Sequence, residues 1–136
     1  MGFRHFPAYG KTIGYRADGA WRAMMAAFDE WIARIKSRDP MVYEDAFHEQ
    51  WPHGPEFIAR LIVEMRLADD SYTRGKLIEL LGEAGDQTVV PELARELEHP
   101  DWNIRQWALH ALRRIGGREA SKFIEQHRLQ LPKDLD

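Results

Sequence analysis

Asp45 and His48 stand three residues apart, a spacing that brings a carboxylate and an imidazole onto one face of a helix, and His53 follows. Such groups can ligate a divalent metal, but a protein site normally needs three or four ligands. No second motif of this kind exists in the chain, so the group reads as a solvated polar face. The other candidates for chemistry are equally sparse. His99 precedes Pro100 and reads as a helix-end histidine, where positive charge suits the helix dipole. Ser37, Ser71 and Ser121 fall at helix ends or junctions and have no evident base. There is no nucleophile elbow, phosphate loop, dinucleotide fingerprint or zinc-protease motif. Cysteine is absent, which removes disulfides, thiolate zinc sites and cysteine nucleophiles. The chain is therefore read as non-enzymatic, with no catalytic residue, no metal and no cofactor.

Composition narrows the alternatives. Hydrophobic residues make up 44% of the 136 residues and charged residues 30%, as in an ordinary globular protein. The net charge of -3 gives no global drive toward nucleic acid or anionic membrane. No apolar run approaches the ~20 residues a membrane helix needs. Met1 to Phe6 lacks the apolar core of a signal peptide, and Phe6 fails the myristoylation pattern. A cytoplasmic location is the resulting expectation.

The elements that must position any site are helical. Residues 1–17 combine Gly2, Gly10, Gly14 and Pro7 with Phe3, Phe6, Tyr9 and Tyr15, and read as an irregular arm. From Asp18 a helix runs to about Ser37, with Trp21, Met24, Met25, Phe28, Trp31, Ile32 and Ile35 at amphipathic spacing. Asp39-Pro40 restarts the chain into a helix reaching roughly Trp51, before Pro52, Gly54 and Pro55. Further helices are expected over about 55–67, 71–84, 88–99, 102–115 and 118–130. That makes three pairs plus one: pairs at about 18–53, 54–86 and 87–117, and a final helix at 118–130, in a single domain spanning 18–136.

The pairs repeat. Trp31, Ile62, Leu93 and Ile124 are successive members of a row with a period of 31 residues. So are Ala27, Ile58, Val89 and Ala120, and so are Phe28, Ala59 and Val90. On the second helices Phe47, Ile78 and Leu109 align, as do Ala46, Leu77 and Ala108. A fixed period of this length, carried by apolar rows, is the sequence mark of stacked helix pairs.

Each second helix also opens on the pattern Asp-x-x-apolar-Arg-x-x-apolar. Asp101, Ile104, Arg105 and Ala108 match it; Asp70, Arg74 and Leu77 match with Thr73 in the apolar place; Asp39, Val42 and Ala46 match with Tyr43 in place of Arg. This pattern resembles the HEAT-like repeats of bacterial α-solenoids over roughly residues 18–130. The resemblance implies an all-α, right-handed superhelix of about three helix pairs closed by a C-terminal helix. It further implies that Asp39, Asp70 and Asp101 cap the second helices while Arg74 and Arg105 bridge toward adjacent acids, in structural roles.

In such repeats the second helices line the concave side. Positions 104, 108, 111, 112 and 115 form the core side of the third pair, leaving 103, 107, 110 and 114 outward. The expected concave surface thus carries Asn103, Trp107, His110 and Arg114, then Tyr72, Lys76, Glu79 and Glu83 one repeat earlier, and Met41, Asp45 and His48 before them. Gly75 is unusual inside a helix and suggests a close approach there. Trp107 has Lys76 and Asp45 as counterparts, so it belongs to no core row. It is either an interface residue or packs beneath the final helix near Phe123 or Leu129, whereas Trp102 is expected to pack at its helix start.

The expected function is protein binding through this concave face, as an adaptor, a scaffold or a small immunity-type inhibitor. The expected partner is another protein, and the chain itself is a monomer or a homodimer. Two other readings exist within the resemblance. Residues 103–128 hold six basic and two acidic side chains, a local excess that a nucleic-acid-contacting HEAT-like protein would use. A solvated basic face is the favoured account of it, with Arg105 engaged in the bridge to an adjacent acid and Arg113 and Arg114 complementing a helix C-terminus, so nucleic acid is not the favoured partner. Bilin lyases also use this repeat type, but no pigment-binding residue stands out.

Overall fold

The computed structural model describes residues 19–52 and 54–130, and the expected arm at 1–17 lies outside them. The described residues contain seven α-helices and no strand: α1 (Gly19–Ile35), α2 (Pro40–His48), α3 (Pro55–Leu67), α4 (Ser71–Ala84), α5 (Val90–Glu96), α6 (Trp102–Ile115) and α7 (Arg118–Gln126). The protein is all-α. Two compact units divide the chain at Pro52.

The first unit is the pair α1–α2, built on aromatic side chains. Trp31 is 1% exposed and donates its indole N–H to the Ala46 carbonyl at 3.1 Å. Phe28, Phe47 and Trp51 complete the cluster, with the Trp31 and Trp51 rings 5.6 Å apart. Helix α2 ends at His48, short of the expected Trp51. The cause is local. The residue before a proline is driven out of the helical region. Trp51 meanwhile turns its indole back to donate to the Phe47 carbonyl at 2.6 Å, serving an acceptor the helix end leaves open. Arg34 grips Glu49 with a fork at 2.7 and 3.0 Å, holding the turn against α1.

In the second unit α3 packs on α4, α5 on α6, and α7 on both α5 and α6. The most extensive contact is between the two second helices, α4 and α6. Their apolar rows account for this: Leu77, Ile78, Leu80 and Leu81 of α4 and Ile104, Ala108, Leu109 and Leu112 of α6 are all fully buried. Buried residues run nearly around α4 because it lies between α3 and α6. The first helices add Leu61, Met65 and Leu93, and Leu97 follows directly after α5. The expected helix over 88–99 is shorter than its pattern: a 3-10 turn at Gln87–Val89 precedes α5, which stops at Glu96. The last expected helix likewise ends at Gln126 and continues as a 3-10 turn, Arg128–Gln130.

The aspartates do cap the second helices. Asp39 accepts from the Met41 amide, Asp70 from Thr73 and Asp101 from Asn103, at 2.9 to 3.0 Å. Each satisfies an amide that no carbonyl of the helix can reach. Asp101 also accepts from the Ser71 hydroxyl at the start of α4, so the cap of one second helix is tied to its neighbour. That hydroxyl and the Asn103 amide hold the Asp101 carboxyl below the usual range. Arg74 bridges an acid as expected: its fork meets Glu96 of α5 at 2.8 and 2.9 Å. Arg105 does not. Its Nη1 donates to the carbonyls of His99 and Pro100 instead, because the residue one repeat beyond Glu96 is His127 rather than an acid.

Candidate functional site

Two glycines set how closely α4 and α6 approach. A Cβ placed on Gly82 would lie 2.8 Å from both Cα and Cβ of Ala111, so the two backbones are nearly in contact there. One at Gly75, two turns earlier, would lie 2.7 Å from Cδ1 and 2.9 Å from Nε1 of Trp107. Gly75 therefore accommodates an indole, and Gly82 a backbone. Ordinary carbon–carbon contact is about 3.5–4.0 Å, so neither position tolerates a side chain without movement.

This geometry decides the placement of Trp107. Its indole does not lie beneath the final helix; it rests against Gly75 of α4 and keeps 38% of its surface exposed. His110, one turn on, presents its ring 6.3 Å from the Trp107 ring. One turn further, Arg114 reaches back across the interface to Glu83 at 2.7 Å. Between the two helices runs an open groove of about 560 Å³, and Glu79, Asn103, Trp107, His110 and Arg114 all line it. Its floor is formed by Gly82 and Ala111.

Six of the eleven residues expected on the concave surface, these five and Glu83, thus share one groove. Tyr72 and Lys76 lie on α4 outside its lining and face each other, with the Lys76 ammonium 4.9 Å from the centre of the Tyr72 ring. Met41, Asp45 and His48 are exposed on α2 in the first unit. His48 is 3.1 Å from Glu44 there, and among the described residues no group of three or more potential ligands is placed to hold a metal. Trp102, expected to pack, is 45% exposed, since it sits at the first helical position with Ile104 taking the inward direction. Sequence reasoning missed Gln106 and the Gly82–Ala111 floor. A glycine at 82, seven residues after Gly75, was the available signal.

A family model for HEAT repeats matches residues 58–134, more than half of the chain. The protein belongs to the HEAT repeat family. The match begins in α3 and so takes in nearly all of the second unit, including both helices of the groove. Comparison with curated proteins and with solved structures gives no match. In HEAT terms the groove lies between the second helices of two adjacent repeats, at the point where the glycine pair brings them together.

Proposed function

We propose that this HEAT protein is a non-enzymatic protein-binding module, an adaptor, scaffold or small inhibitor, that holds its partner in the groove between α4 and α6. HEAT repeats commonly mediate protein–protein interaction. The observation that carries the reading is Trp107, half-exposed in a groove, backed by a glycine, and followed by a histidine and an arginine at helical spacing. Trp and Arg dominate the energetics of protein interfaces, especially at positions backed by well-packed surroundings. An indole seated against Gly75 is also partly immobilised before a partner arrives, which lowers the ordering cost of binding.

The basic excess of residues 103–128 gives less support to nucleic acid. Arg114 is paired with Glu83, Arg105 is turned to backbone carbonyls, and Arg128 lies 3.8 Å from Glu125. Trp102 supplies a control for the protein-binding reading, being an exposed tryptophan of the same helix outside the groove. Affinity capture from the native host with wild type, Trp107→Ala and Trp102→Ala is the test. Partners held by wild type and Trp102→Ala but lost by Trp107→Ala support the groove. Partners retained equally by all three eliminate it.

A further inference from the structure

Arg74 and Arg105 occupy the same position one repeat apart, and their surroundings differ in one respect. Arg74 donates Nη1 to the carbonyls of Arg66 and Ala68 at 3.4 and 3.2 Å, and with its Nε and Nη2 edge grips Glu96. Arg105 donates Nη1 to the carbonyls of His99 and Pro100 at 2.8 and 3.1 Å in the same manner. Its Nε–H, however, is buried without an acceptor. The residue 31 positions after Glu96 is His127, whose ring nitrogens are directed at Glu98 and at the Phe123 carbonyl, both at 2.9 Å. The repeat has kept the arginine and its carbonyl anchors and has lost the acid. A cavity of about 630 Å³ opens at this point, lined by Leu97, Glu98, Arg105, Gln126 and His127. None of these residues lines the Trp107 groove.

We infer that the free edge of Arg105 is a binding site for a carboxylate, brought either by a small free carboxylate or by an acidic side chain of a bound protein. Three observations support a carboxylate. The equivalent edge of Arg74 is filled by one at 2.8 and 2.9 Å, so the repeat geometry suits two coplanar oxygens. The guanidinium is fixed in advance by two carbonyls, which leaves little ordering cost on binding. Glu98, the acid in the cavity wall, is engaged by His127 rather than by Arg105. Because Nε is shielded from water, a ligand oxygen reaches it only as a lining side chain gives way, and His127 stands where the lost acid would be.

Nuclear magnetic resonance of the Arg Nε–H groups and the His127 ring in the intact protein tests this, with Arg74 as the internal control. Sodium acetate, sodium phosphate, sodium chloride and a triglutamate peptide are titrated at equal ionic strength. The Arg105 Nε–H signal should shift saturably with carboxylate, together with the His127 ring signals, while Arg74 stays in place. Saturation by acetate as readily as by the peptide assigns a small free carboxylate; saturation by the peptide alone assigns a protein side chain. The Arg105→Lys variant, lacking the planar fork, should weaken the His127 response at least about tenfold. His127→Glu with Glu98→Gln puts the acid back from within and should raise the melting temperature and remove the acetate response. No saturable shift beyond that in chloride, a stronger response to phosphate, or equal movement of Arg74 would overturn the proposal. So would a full acetate response in the folded double variant.

Discussion

Replacing Gly75 with alanine separates two opposing effects whose sizes can be set from the geometry. Alanine in place of glycine inside a helix is worth about 1 kcal/mol of stability. Against this, the new Cβ would sit 2.7 Å from Trp107 Cδ1. The indole must retreat by about 1 Å to restore ordinary contact. Overpacking of this kind costs about 1–3 kcal/mol. Trp107 is 38% exposed and can move outward, which places the cost toward the lower end. The expected outcome in wild type is a net change near zero or a loss of about 1 kcal/mol. In a Trp107→Ala background the obstruction is gone, and the same Gly75→Ala change should stabilise by about 1 kcal/mol. Urea denaturation of the four proteins in this double-mutant cycle gives the coupling directly. A gain of equal size in both backgrounds would mean that the indole does not rest on Gly75. Gly82→Ala behaves differently because its obstacle is the Ala111 backbone at 2.8 Å. It should destabilise by about 2–3 kcal/mol, with or without Trp107.

Other outcomes follow from the ion pairs and caps. Arg74→Ala leaves Glu96, only 6% exposed, without its fork, and should cost about 3–5 kcal/mol in denaturant titration. Arg66→Ala, losing a pair whose arginine is 54% exposed, should cost no more than about 1 kcal/mol. The pH dependence has two parts of opposite sign. The Asp101 carboxyl is held below its ordinary range, chiefly by Ser71. Its contribution is present above that range and lost as pH falls through the lowered value, so Asp101→Asn should flatten the acid limb of a melting-temperature profile. His127 is raised, chiefly by Glu98. Its contribution is present below the ordinary histidine range and lost as pH rises through the raised value, so His127→Gln should flatten the profile on that side.

The helices of the second unit were legible in the sequence almost residue by residue. Pro55 and Leu67, Ser71 and Ala84, and Trp102 and Ile115 bound helices at the expected positions, because caps, prolines and glycines act locally on the backbone. Helix ends differed where a side chain or a tighter turn won over the apolar pattern, at α2, at both ends of α5 and at the end of α7. Trp51 folds back on Phe47 instead of extending α2, and the chain before Val90 winds as a 3-10 turn. Six groove residues were legible because the 31-residue period carries one helix face onto the next. Tyr72 and Lys76 fell outside the lining because that projection treats the helices as evenly spaced. The glycines at 75 and 82 draw α4 and α6 together at particular points, and helix spacing has no representation in a residue pattern. The different partners of Arg74 and Arg105 depend on residues 22 positions downstream, Glu96 at the end of α5 and His127 just after α7, which no local motif contains.

Titration calorimetry of a captured partner against wild type, Trp107→Ala and Trp102→Ala tests the groove itself. Loss of an interface hot spot costs about 2 kcal/mol or more, a weakening of roughly thirtyfold. Trp107→Ala should show at least that loss while retaining its helical circular dichroism, and Trp102→Ala should bind within about threefold of wild type. Equal affinities for all three proteins, or a loss confined to Trp102→Ala, would place the partner somewhere other than the groove between α4 and α6.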